Sequence, residues 1–281
     1  MAATQLVSAE ELNFSSADEN LRIVDCRFDL SDADAGRRSY DEKHIPGAVF
    51  LDLDRDLASA STASSGRHPL PEPTTIAETL CQLGIDSETA VVVYDGGNGS
   101  MAVRAWWILR WLGHTNVRVL DGGIAAWSEA FELSSEAVMP VSRSFLAVVR
   151  PEMVVTTEEI NVAIDDIGAL NLLDARDPAR FHGEVEPIDR VAGHIPGARN
   201  RPFLDNLNAD GRWKSAQQLL ELWRKEFGED TRTPWIAMCG SGVTACHLVL
   251  SAMEAGYREP RLYVGSWSEW ITDSSRPIAG Q

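Results

Sequence analysis

Four cysteines in 281 residues, Cys26, Cys81, Cys239 and Cys246, are too few and too scattered for a disulfide framework. None belongs to a C-x2-C pair, and no H-x3-H spacing accompanies them, so neither a structural metal nor any other cofactor is expected. Basic residues are scarce as well. Lys and Arg number 25 against 42 Asp and Glu, and the resulting charge of -17 repels a phosphate backbone or an anionic membrane surface. The chain has no apolar run approaching the roughly eighteen residues of a spanning helix. Residues 1 to 13 have neither a basic start nor an apolar stretch of the signal-peptide kind. Together these absences exclude nucleic-acid and membrane partners and lead to the expectation of an unexported protein in a reducing cytoplasm. What remains is ample apolar material, 44% of residues, enough for two ordinary cores.

The chain repeats itself. Val7-Ser8-Ala9-Glu10-Glu11-Leu12 resembles Val155-Thr156-Thr157-Glu158-Glu159-Ile160, each with the capping-box pattern that opens a helix. Ile23-Val24-Asp25-Cys26-Arg27 matches Leu172-Leu173-Asp174-Ala175-Arg176 at an offset of 149, and His44-Ile45-Pro46-Gly47-Ala48 recurs as His194-Ile195-Pro196-Gly197-Ala198 at 150. The run ending Tyr94-Asp95-Gly96 corresponds to the one ending Met238-Cys239-Gly240, which sets Asp95 opposite Cys239. Gly122 and Trp127 fall opposite Gly265 and Trp270, a Gly-x4-Trp turn closing each half. In both halves short apolar runs alternate with segments of helical period. Ala102 to Leu112 ends at Gly113, and Ala245 to Met253 ends at Gly256. This is the pattern of an α/β domain with a mainly parallel sheet. We therefore expect an N-terminal domain over 1–138, a linker over 139–154 that lacks helical period, and a C-terminal domain over 155–281.

Cys239-Gly240-Ser241-Gly242-Val243-Thr244 lies between a buried strand and a helix start, where open α/β sheets bind ligands. Its glycines let several N–H groups converge, and the first helical turn adds partial positive charge. Such a loop stabilises a thiolate and, after sulfur transfer, a persulfide. The plain alternative is a buried cysteine in a tight turn. The repeat weighs against it, because the first half keeps the turn as Asp95-Gly96-Gly97-Asn98-Gly99 without a thiol. Residues present in both halves, Asp25 and Arg27, Asp174 and Arg176, His44 and His194, cannot explain a one-sided function and are read as structural ion pairs and turn bonds. The nine tryptophans are read as core and interface residues.

The Cys239 to Ala245 loop, the duplicated His-Ile-Pro-Gly-Ala and the Gly265-Ser266-Trp267-Ser268-Glu269-Trp270 ending resemble the tandem rhodanese-type sulfurtransferases over essentially the whole chain. The resemblance implies two tandem rhodanese-like domains, each a mainly parallel sheet flanked by helices, with sulfur carried on Cys239 and a silent first domain. Thiosulfate-using members carry basic residues after the cysteine, whereas this neutral loop is similar to the 3-mercaptopyruvate branch. That branch implies a small-molecule donor held by Gly240, Gly242, Val243 and Thr244, and a relay of Ser241 with His68 and Asp54. The Leu57 to Arg67 stretch is longer than the family's usual one, so a solvated loop histidine stays as the alternative for His68. Arg180 matches the family's first carboxylate-binding arginine. The second ordinarily follows Glu-Pro, but Glu186-Pro187 leads here to Ile188. Arg190 is either its displaced equivalent or an ordinary exposed arginine.

The acceptor is expected to be a thiol, cyanide or a thioredoxin-like protein. Thiosulfate:cyanide transfer, a persulfide relay and a rhodanese-like binding module stand as alternatives. A cysteine phosphatase is excluded, because it needs an arginine six residues after the cysteine and position 245 is alanine.

Overall fold

The computed structural model describes residues 4–280 and resolves the chain into two compact units, each built on one five-stranded, wholly parallel sheet. In the first, β1 (Leu6–Val7), α1 (Ala9–Ser15), β2 (Leu21–Asp25), α2 (Ala35–Glu42) and β3 (Val49–Phe50) precede α3 (Pro73–Gln82). Then come β4 (Ala90–Tyr94), α4 (Ala102–Trp111), β5 (Val117–Leu120) and α5 (Gly123–Ser128). The strands lie in the order β1-β5-β4-β2-β3.

The second unit follows the same plan through β6 (Val154–Val155), α6 (Thr157–Val162), β7 (Leu172–Asp174), α7 (Pro178–Phe181) and β8 (Arg199–Asn200). It continues with α8 (Ala216–Phe227), β9 (Ile236–Met238), α9 (Ala245–Glu254), β10 (Arg261–Tyr263) and α10 (Ser266–Trp270). Its order, β6-β10-β9-β7-β8, is the first sheet renumbered. No helix among the described residues is long and apolar enough to cross a membrane.

Equivalent side chains fill both cores. Val7, Leu12, Ile23, Ile45, Val92 and Trp127 in one correspond to Val155, Ile160, Leu172, Ile195, Ile236 and Trp270 in the other. The capping boxes form at Ser8 with Glu11 and at Thr156 with Glu159, which satisfies N–H groups that α1 and α6 would otherwise leave open. The repeated polar residues act in turns. Arg27 pairs with Asp25 at 2.6 Å and Arg176 with Asp174 at 2.7 Å, while each guanidinium also donates to the chain just before the histidine, at Lys43 O and Gly193 O. His44 stacks on Tyr40 and His194 on Phe181. The Gly-x4-Trp closures are short helices, α5 and α10, rather than simple turns.

The two units are not contiguous in sequence. The first comprises Met1–Ser59, Leu70–Arg150 and Asn208–Trp213, and the second Ala60–Pro69, Pro151–Leu207 and Lys214–Gln281. Residues 139–150 have no helix or strand, yet they belong to the first unit. There Arg143 reaches Asn20 Oδ1 at 2.6 Å and Thr89 Oγ1 at 2.9 Å, and the Val148 N–H donates to Leu112 O. The lack of helical period is real, but such a stretch still satisfies its polar groups by packing. Val154 already opens β6.

Candidate active site

Cys239 follows β9, the central strand of the second sheet, and is 2% exposed. Its N–H donates to Ser266 Oγ at 3.1 Å, and Ser266 in turn donates to Tyr263 O at 2.8 Å. The Cys239 and Gly240 carbonyls accept the N–H groups of Trp267 and Ser268. The loop is thus stapled to the start of α10. At Gly242, φ is +73°, and a Cβ would approach Val264 O to 2.5 Å, so glycine is required there both for conformation and for space. Val243 is buried and Thr244 stands at the N-cap position of α9 without a side-chain cap bond, their carbonyls accepting from Cys246 and His247. Cys246 is buried within α9, its Sγ 3.4 Å from Gly242 O.

Ser241 Oγ lies 2.8 Å from His68 Nδ1, with both residues buried. His68 arrives on the Ala60–Pro69 segment, which belongs to the second unit. That segment is anchored by the Arg67 N–H donating to Ser268 Oγ at 3.1 Å, and by Gly66, where a Cβ would come within 2.7 Å of Gly265 O. His68 is therefore no solvated loop histidine. Asp54 belongs to the first unit, in the turn after β3, and its N–H donates to Asp52 Oδ1 at 2.9 Å. Burial, and then the Asp52 charge, raise its carboxyl above the ordinary range.

Two guanidiniums face Gly240. A Cβ there would stand 2.9 Å from Arg67 Nη2 and 3.7 and 3.8 Å from the terminal nitrogens of Arg180. Arg180, on α7, is held by Glu186 at 2.7 Å and Asp189 at 3.1 Å, and Arg67 pairs with Asp189 as well. Burial pushes the Asp189 carboxyl up in spite of Arg67. Burial also pulls Arg176 down, but Asp174, Glu186 and the neighbouring Cys239 together raise it above the usual guanidinium value. The repeated Arg176 is thus both a turn residue and a cation near the sulfur.

Arg190 does not join this group; it donates to Ile271 O. The reason lies in the turn after Pro187, where Glu186 accepts the N–H groups of Ile188 and Asp189 and the tightened turn sends Asp189 to the arginines. Arg67 was missed in the sequence. The loop itself has no basic residue, and to the expected Arg180 the structure adds a cation from the distant Ala60–Pro69 segment.

The first unit has the same loop with a different content. Asp95 Oδ1 accepts the N–H groups of Gly97 and Gly99, and Oδ2 those of Met101 and Ala102, at 2.8 to 3.2 Å. Its anion cradle is occupied by its own carboxylate. Beside Gly99 stands Trp213, whose N–H donates to Asp121 Oδ1 at 2.8 Å. Gly211-Arg212-Trp213 is the counterpart of Gly66-Arg67-His68, so each unit takes a Gly-Arg-aromatic segment from the other half of the chain. That repeated tripeptide was the available signal for Arg67.

Residues 8–130 and 156–273 each match the model of the rhodanese-like domain. A Pseudomonas aeruginosa protein named "Probable 3-mercaptopyruvate sulfurtransferase" is 44% identical over 282 residues, covering 99% of each chain. A thiosulfate sulfurtransferase of Cricetulus griseus is 36% identical over 94% of this chain and 89% of its own. The crystal structure of SseA from Escherichia coli, described with the 3-mercaptopyruvate sulfotransferases, superimposes with a TM-score of 0.82 at 34% identity, over 95% of this chain and 100% of that one.

Proposed function

This chain belongs to the rhodanese-like domain family, and from that premise we propose that it is a sulfurtransferase taking sulfur from 3-mercaptopyruvate through a Cys239 persulfide. The observation that carries the reading is the conjunction of Cys239 in an anion-holding loop, the Ser241 and His68 pair at 2.8 Å, and two guanidiniums facing Gly240. In this reading Arg180 and Arg67 grip the donor carboxylate, with Arg67 as the second arginine in place of Arg190. The Cys239 thiolate attacks the donor sulfur. The carbon–sulfur bond breaks, its electron pair passes to C3, and the resulting enolate takes up a proton to leave as pyruvate. The proton released by the donor thiol is the one delivered to C3, and Ser241 with His68 conveys it, with Asp54 as the third member of the relay. Gly242, Val243 and Thr244 supply the backbone that stabilises the persulfide anion. A thiol, cyanide or a thioredoxin-like protein then attacks the outer sulfur and regenerates the thiolate. The four free cysteines agree with a reducing cytoplasm. The first domain is silent, since a carboxylate at Asp95 cannot carry sulfane sulfur.

The test is direct. Purified protein mixed with 3-mercaptopyruvate should release pyruvate and gain the mass of one sulfur on Cys239. Cys239→Ser should abolish both, and Cys246→Ser should keep most of the activity. A persulfide found on Cys246, or no pyruvate at all, would overturn the reading. Thiosulfate as donor is a second reading, favoured by the same two guanidiniums and by the Cricetulus griseus relative. Steady-state rates with both donors separate the two.

A further inference from the structure

The cations around Gly240 are balanced by buried carboxylates. Arg67, Arg176 and Arg180 face Asp174, Glu186 and Asp189, so the formal charges cancel. Asp174 and Glu186 belong to local turns. Asp189 is as buried as Glu186, its side chain 4% exposed, and differs in its partners: Oδ1 goes to Arg67 and Oδ2 to Arg180, the two arginines whose terminal nitrogens face Gly240, whereas Glu186 joins Arg180 to Arg176. Both arginines keep a terminal nitrogen with no hydrogen bond among the described residues, Nη2 of Arg67 and Nη1 of Arg180, and both nitrogens face Gly240.

We propose that Asp189 is a donor-selectivity residue: its buried carboxylate bridges Arg67 and Arg180, cancelling one of their two charges while leaving their outward donors aligned. A carboxylate donor carries a single charge and is held by directional hydrogen bonds to those two nitrogens. A compact dianion such as thiosulfate depends on net positive charge, which Asp189 withholds. The inference deepens the sulfurtransferase reading and rests on it for its kinetic assay, though not for its binding assay.

The experiment uses the full chain with Asp189→Asn, Asp189→Ser and Asp189→Glu. Removing the charge should raise the ratio of kcat/KM for thiosulfate to that for 3-mercaptopyruvate about tenfold, chiefly through the thiosulfate KM. Sulfate, titrated calorimetrically as an inert dianion, should bind the Asn and Ser variants more tightly, and Glu should restore the original donor ratio. If kcat falls in parallel for both donors at an unchanged ratio, or if sulfate affinity does not rise in folded variants, Asp189 only props the arginines and the proposal is wrong. Should Asn fail to fold, the Ser variant reads the same charge. Absence of pyruvate release from the unaltered protein would overturn the donor reading alone, since the sulfate titration still reports on Asp189.

Discussion

Ser266 has φ +54°, a left-handed conformation that costs a non-glycine residue about 1 kcal/mol or more. Its counterpart in the first unit is Gly123, at φ +56°, where no such cost arises. The second unit tolerates the strain because the Ser266 hydroxyl accepts the Cys239 N–H and donates to Tyr263 O, holding the nucleophile's backbone. Two substitutions separate strain from bonding. Ser266→Ala keeps the strain and loses both bonds, so urea unfolding should show a loss of about 1–3 kcal/mol. Ser266→Gly loses the bonds but relieves the strain, and its stability should fall within about 1 kcal/mol of the parent. Both should turn over more slowly, since the sulfur is no longer anchored. An alanine variant as stable and as active as the parent would show that the hydroxyl does nothing for the loop.

At the scale of elements, the two strand-to-helix loops are one structure with two contents. The first is closed by Asp95, 3% exposed and accepting four backbone N–H groups, although a cavity of about 550 Å³ lined partly by Arg27, Asn98 and Ser100 opens beside it. Asp95→Ala strips four donors of their acceptor, and water from the cavity replaces only part of the loss. The expected cost is about 1–3 kcal/mol in urea unfolding, with turnover at saturating donor close to that of the parent. A large fall in kcat at unchanged stability would give the first loop a part in the chemistry. Elements of this kind were legible in the sequence because local chemistry dictates them: capping boxes, glycines past the ends of α4 and α9, and apolar runs for β4 and β9. Side-chain direction was not. Whether the chain after Pro187 presents Asp189 or Arg190 depends on Glu186 gathering two N–H groups, a cooperative turn that no residue pattern announces.

On the scale of the whole molecule, the repeat made two domains and their shared topology readable, but not the exchange of short segments that completes each unit. A cut at a linker assumes that units are contiguous. Ala60–Pro69 lies far in sequence from the sheet it serves, and only the Gly-Arg-aromatic tripeptide marks it. A fragment beginning at Pro151 retains β6 to β10, Cys239, Ser241 and Arg180, yet it lacks His68 and Arg67. If His68 conveys the donor proton, such a fragment should lose roughly 10²- to 10⁴-fold in turnover, the usual worth of a general acid–base group. Misfolding of the fragment would mimic that result, so full-length His68→Ala and Ser241→Ala are the companions to measure. Each should lose activity while keeping the parent's unfolding free energy to within about 1 kcal/mol, and the double variant should be little worse than either single one, because groups acting as a unit are not additive. Additive losses would mean that the 2.8 Å contact between His68 and Ser241 is not the proton path, and a fragment as active as the full chain would remove the need for any relay from the first half.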